Sequence, residues 1–119
     1  VIMTVSENPN TITQSLIKNA GINAGMRVLD FGCGNGETSR LLAAAVGPEG
    51  AVVGIDINPS AVTQAKAKVA QEGFDNCEFV HADIIEACDN LGSFDAIFCY
   101  IVYIYTYRAI NISYCFLYI

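Results

Sequence analysis

The sequence predicts an α/β fold built on a mostly parallel, doubly wound sheet. Three observations carry that prediction. A first helical segment is followed by alternating strand-like and helical segments through residue 100, and such alternation specifies a parallel sheet with helices on both faces. Each strand-like segment is a short, nearly continuous apolar run, as expected where both faces are covered. The residues able to do chemistry fall just after these runs, at the strand ends where open α/β sheets bind ligands.

The elements follow in order. Asn8-Pro9 offers a cap and a first-turn proline, Ile12, Leu16, Ile17 and Ala20 recur at helical spacing, and Gly21 can stop the helix. Met26 to Phe31 reads as a first buried strand. Glu37 to Val46 reads as a helix with Leu41, Leu42, Ala45 and Val46 on one face, closed by the turn Gly47-Pro48-Glu49-Gly50. Ala51 to Ile55 is a second strand ending at Asp56. Asn58-Pro59 caps a third helix with Val62, Ala65 and Val69 inward and Gly73 at its end. Cys77 to Val80 is a third strand leading to Asp83, and Phe94 to Tyr100 a fourth.

Composition narrows the function classes. The chain has 119 residues, enough for one domain and too few for two. Apolar residues make up 53 %, so a core can form, while charged residues are only 15 % against a usual quarter or so. Six Lys and Arg against twelve Asp and Glu leave a net charge of −6, which gives no nucleic-acid signal and no pull toward anionic membranes. The five cysteines form no C-x-x-C, and one His completes no zinc set, so no metal is expected and reduced thiols in a cytoplasmic protein are. Residues 1–10 lack a basic segment followed by an apolar core, so no signal peptide is expected.

The end of the chain differs from the rest. All six tyrosines and a run of isoleucines lie in residues 96–119, with Arg108 as the single charge. Arg108 and Asn111 divide the stretch, and Tyr fills lipid poorly, so no membrane anchor is expected. Residues 1–100 are read as the domain. Residues 101–119 are read as a Tyr/Ile-rich tail foreign to it, such as a frame error, an unspliced segment or a premature stop would produce; the competing expectation is a hydrophobic end that pairs with a partner.

The chemistry clusters at four strand ends. Asp30-Phe31-Gly32-Cys33-Gly34-Asn35-Gly36 carries glycines at alternating positions, which let main chain turn tightly and bring its N–H groups near a ligand, at the positive end of the following helix. A dinucleotide loop needs G-x-G-x-x-G, and Glu37 occupies its last position. Asp30 would repel a pyrophosphate and attract a cationic head group. Asp56 can accept from both hydroxyls of a ribose, and Ile57 can lie against a purine. Asp83 can accept from an exocyclic adenine amine beside an apolar Ile84. Phe94 to Tyr100 ends next to the first strand. Taken alone, Asp56 also reads as a helix cap, Asp83 better as a turn or cap residue, and Asp95 as a cap or pairing residue. Their conjunction at successive strand ends is stronger than any part. Cys33 is explained by a tight loop without a nucleophilic role, and His81 by strand-end packing without a general-base role.

These residues resemble a known family. Val28-Leu29-Asp30-Phe31-Gly32-Cys33-Gly34-Asn35-Gly36 looks like the first motif of class I S-adenosylmethionine-dependent methyltransferases. Val53-Gly54-Ile55-Asp56-Ile57 resembles their second-strand motif, Phe79-Val80-His81-Ala82-Asp83 the third, and Phe94-Asp95-Ala96-Ile97 the fourth. The resemblance implies a Rossmann-like methyltransferase fold, incomplete after the fourth strand, and S-adenosylmethionine as cofactor. It implies that Asp30, Phe31, Gly32, Cys33, Gly34 and Gly36 surround the methionine portion. Asp56 would hold the ribose, Ile57 touch the adenine, Asp83 with Ile84 read its amine, and Cys99 lie close to the cofactor. The acceptor, a small molecule or a protein, is left unidentified, because the region after the fourth strand that usually lines its pocket is replaced by the tail. An unpaired Ile/Tyr-rich edge there predicts self-association. Two alternatives stand beside this: a nicotinamide-dependent oxidoreductase half, against which Glu37 and Asp30 speak, and a non-catalytic remnant.

Overall fold

The computed structural model describes residues 9–99. Its elements are α1 (Pro9–Asn19), β1 (Arg27–Phe31), α2 (Glu37–Val46), β2 (Ala51–Asp56), α3 (Pro59–Gln71), β3 (Cys77–His81), α4 (Ile84–Ala87), a 3-10 turn (Cys88–Asn90) and β4 (Ala96–Cys99). The four strands form one sheet in the order β3-β2-β1-β4, and every pairing is parallel. The chain steps outward from β1 to β2 to β3, then returns to the other side of β1. That reversal puts the topological switch point between β1 and β4.

Strand alternation divides the core in two. Val28 and Val52 face one side with Ile17, Leu41, Leu42 and Val46, while Val62, Ala65, Val69 and Phe79 continue the layer under α3. Leu29, Val53 and Ile55 face the other side with Ile84, against Phe31, Leu91, Phe94 and Ile97. Three helices therefore lie on the first face. The second is covered by a four-residue helix, the 3-10 turn and the loop before β4. Among the described residues, no helix is long and apolar enough to cross a membrane.

Three expectations need adjustment. In α1, Thr13 and Ile17 are buried whereas Leu16 and Ala20 are exposed, because this helix packs on α2 and only a narrow stripe is covered. Residues 84–87 form α4, a single turn too short to show helical periodicity in the sequence. The fourth strand starts at Ala96 rather than Phe94, since Phe94 and Asp95 are engaged elsewhere. Tyr100 and residues 101–119 lie outside the described residues, and so do the expectations about the tail.

What engages Phe94 and Asp95 is Arg27, at the opening of β1. Its guanidinium donates to the Ser93 carbonyl at 2.6 Å and the Leu91 carbonyl at 2.8 Å, and lies 4.2 Å from the centre of the Phe94 ring. Its backbone N–H donates to the Asp95 carboxylate and its carbonyl accepts from the Asp95 N–H, each at 2.8 Å. One side chain thus gathers the loop that delivers β4. Arg27→Ala is expected to lower stability by about 2 kcal/mol in urea denaturation, through the lost charge-assisted hydrogen bonds and ring contact. Hydrogen exchange in β4 should rise more than in β2.

Candidate functional site

The carboxyl ends of the strands form one rim. Phe31, which closes β1, pairs in register with Ile55 and Cys99, and Asp56 pairs with His81. The ends of all four strands are thereby level. Asp83 follows two residues after β3, and the Ala82 N–H donates to the Asp56 carbonyl at 3.2 Å. The residues singled out at the four strand ends are brought together, not scattered.

The glycine loop rises from β1 to α2. Gly34 and Gly36 hold φ of 52° and 87°, a left-handed conformation that favours glycine. A Cβ on Gly36 would also stand 2.9 Å from the Cβ of Ala65, so this residue lets α2 and α3 approach closely. Over Gly32 and Gly34 a Cβ would meet nothing within 4 Å among the described residues.

The loop amides differ from the expectation that they would face a ligand. Gly32 and Cys33 donate to the Ile55 carbonyl at 2.8 and 3.0 Å, and Gly36 donates to the Cys33 carbonyl at 3.0 Å. Gly34 donates to Asp56 Oδ2 at 2.9 Å. The reason is parallel pairing carried one step beyond the strand: Ile55 is aligned with Phe31, so its carbonyl receives the next two amides. The loop thus presents bare main chain more than free donors.

Asp56 is half-buried, and both its oxygens are engaged. Beside Gly34 on Oδ2, the Asn58 N–H donates to Oδ1 at 2.9 Å. Asn58, not Asp56, caps α3, accepting from the Ser60 N–H at 3.0 Å. Asp83 caps α4, with Oδ1 accepting from the Ile85 N–H at 2.9 Å. His81 Nε2 lies 3.1 Å from the Ile57 carbonyl and ties β3 to the turn after β2.

Ile57 is 69 % exposed on the rim. Ile84 is a correction. It is 7 % exposed and packs with Leu29, Val53 and Ile55, while its neighbour Ile85 is 65 % exposed. A single helical turn must aim one of the two at the core, and the capping geometry of Asp83 selects Ile84.

Asp30 is the most unusual group. Only 1 % exposed, it points beneath the loop toward α2, where the Ser39 hydroxyl donates to Oδ2 at 2.5 Å. Burial raises its carboxyl, the Ser39 hydrogen bond partly opposes this, and Asp56 adds repulsion, with the outcome at about 6. Burial, then Asp30 and Asp56, push the Cys33 thiol up to about 12, which keeps it protonated and poorly nucleophilic. Glu37 has the opposite environment. Arg40 and then Lys68, each 2.6 Å away, hold it at about 2 and join α2 to α3 beside the loop.

Support for the loop comes from across the sheet. Gly54 pairs with Asp30, and a Cβ there would stand 2.7 Å from the Phe79 ring and 3.0 Å from the Cβ of Cys33. The missing side chain lets the Phe79 ring fill the space under the loop. Ser39 does not stand out in the sequence, and Phe79 figures there as the opening of the third motif with no hint that it packs beneath the loop; a hydroxyl three residues into the helix after a glycine loop is the one signal that could have marked Ser39. Among the described residues, no group of three His, Cys, Asp or Glu could hold a metal ion. A groove of about 410 Å³, bordered by Lys66, Phe74 and Glu78, lies against α3 and the outer strand β3, away from the rim.

Asp30 links the site to stability. Its folded value lies above its ordinary 3.8, so the buried carboxylate opposes folding once ionised; the stability present at low pH is lost as pH rises through about 6. The cost above pH 7 is about 3 kcal/mol. Asp30→Asn, whose amide oxygen can still accept from Ser39, should therefore stabilise the chain by up to about 3 kcal/mol near pH 7.5 and about a third of that near pH 4.5. Urea titrations at the two pH values check this; an equal gain at both would contradict it.

Known proteins resemble this chain in sequence and fold. A family model described as a methyltransferase domain matches residues 22–114. Demethylmenaquinone methyltransferase of Lactococcus lactis is 35 % identical over 81 residues, which cover 68 % of this chain and 32 % of that protein. Among solved structures, a protein-L-isoaspartate O-methyltransferase superposes with a TM-score of 0.70 at 27 % identity, over 78 % of this chain and 29 % of its own. A SAM dependent methyltransferase from Aquifex aeolicus superposes with a TM-score of 0.59 at 31 % identity, over 64 % and 43 %. The chain thus spans about a third of the length of the curated relative it matches. With its parallel sheet, its glycine loop and a family match over most of its length, the chain belongs to the methyltransferase-domain family.

Proposed function

We propose that this chain is the S-adenosylmethionine-binding part of a methyltransferase, whose acceptor, a small molecule or a protein, is held by chain beyond β4. The observation that carries the proposal is the rim: the glycine backbone of Gly32 and Gly34 beside the half-buried carboxylates of Asp56 and Asp83, with the Asp30 carboxylate buried beneath the loop. A nucleoside carrying a sulfonium and an ammonium suits such a rim by charge. A pyrophosphate does not, because it would meet carboxylates and loop amides already donated.

When bound, the cofactor supplies a methyl carbon made electrophilic by the sulfonium. The chain's part is to bind, orient and exclude water. Asp30 and the loop from Phe31 to Gly36 would take the methionine portion. Each oxygen of Asp56 accepts one amide and keeps a lone pair for a ribose hydroxyl. Ile57 would lie against the adenine, with the exposed Ile85 serving as apolar wall in place of Ile84. Asp83 would take the adenine amine. Cys99, level with Phe31 across the switch point, would stand beside the cofactor. Cys33 stays a thiol, in keeping with direct displacement and no covalent enzyme intermediate.

Calorimetry of the full chain with S-adenosylmethionine and NAD side by side tests the proposal. Saturable binding of the first alone is expected. Asp56→Ala should weaken it at least about tenfold, since hydrogen bonds to a charged group are lost. Ile57→Ser should weaken it severalfold while leaving the melting temperature nearly unchanged, because exposed positions carry little stability. Preference for NAD, or silence toward both, would overturn the proposal.

A further inference from the structure

We infer that Ser39 is a positioning residue for the cofactor's ammonium, holding the Asp30 carboxylate by one oxygen beneath the glycine loop. The inference rests on the methyl-donor reading above and extends it to a residue that touches no ligand. Ser39 is fully buried, at 0 % exposure, and its hydroxyl donates to Asp30 Oδ2 at 2.5 Å. Among the described residues, this is the side-chain hydrogen bond given to Asp30. Ser39 lies three residues into α2, so the helix that starts at the loop also fixes the acid beneath it.

The surroundings make that donor matter. Asp30 is faced by Ser39 from α2, by Cys33 from the loop, by Asp56 from the end of β2, and by Cys77 from β3, whose Sγ lies 3.7 Å from the Ser39 carbonyl. Both thiols are held protonated by burial and Asp56 is repulsive, so no cation balances Asp30 among these neighbours. A hydroxyl that donates to the carboxylate favours its ionised form. Without it, the acid stays protonated to higher pH and offers a bound ammonium no charge. Ser39 thus acts on binding through Asp30, in a pH-dependent way that loss of packing would not reproduce.

The test measures the affinity of the full chain for S-adenosylmethionine across about pH 5.5 to 8.5. The wild type should show an acid limb set by Asp30. In Ser39→Ala that limb should move up by roughly one unit, a loss of about tenfold below pH 6 and under about twofold at pH 8.5. Asp30→Asn should remove the limb in both backgrounds. A wild type that binds nothing sinks the methyl-donor reading and this role with it. Binding with an unmoved limb, or an equal loss at every pH, overturns the role of Ser39 alone. Should Ser39→Ala not fold, a carboxyl-carbon NMR titration of wild-type Asp30 decides. S-adenosylmethionine should lower its midpoint by about one unit or more, and an unchanged midpoint overturns the inference.

Discussion

Two backbone amides, from Gly34 and Asn58, converge on the carboxylate of Asp56, and the shape of the rim depends on that convergence. Gly34 belongs to the loop after β1, and Asn58 begins the helix after β2. A single carboxylate thereby joins two segments that the sheet alone would leave independent. Hydrogen bonds to a charged acceptor are stronger than neutral ones, so the joint outlasts thermal motion of a glycine-rich segment. The Ile55 carbonyl reinforces it by receiving the Gly32 and Cys33 amides. The loop is preorganised by its neighbours as well as by its own glycines.

The two faces of the sheet are covered unequally. Behind α2 and α3, long helices bury a dense layer in which Leu42, Val46 and Ala65 lose all or nearly all contact with solvent. On the opposite face, α4 and the 3-10 turn supply less cover, and the strand residues there lean on Ile84, Leu91 and Phe94. Arg27 compensates by fastening the loop of residues 91–95 through two carbonyls, one carboxylate and one aromatic ring. Stability under α4 thus depends on polar contacts at the strand start, while the opposite layer depends on apolar packing.

Much of this was legible from the chain. The order of elements, the three long helices and the strand ends followed from periodicity and from where glycine, proline and acids fall. Asn58, Asp83 and Asp95 were readable as capping or pairing residues because short polar side chains near element ends have few other uses. What escaped has physical causes. Four residues cannot display a helical phase, so Ile84 and Ile85 could not be told apart. The burial of Asp30 depends on a serine nine residues later, which looks like any polar helix residue. The loop amides depend on register with Ile55, a property of two strands and not of either one. The role of Arg27 could not be read from its neighbours, because its guanidinium partners lie more than sixty residues away.

Gly54 has a consequence for how such a domain can drift in sequence. Its bare backbone lets the Phe79 ring and the Cys33 side chain share one space beneath the loop. Any larger residue at one of the three positions needs a smaller one at another, so their changes are coupled and not additive. A change of side chain in the outer strand β3 is in this way felt at the loop two strands inward.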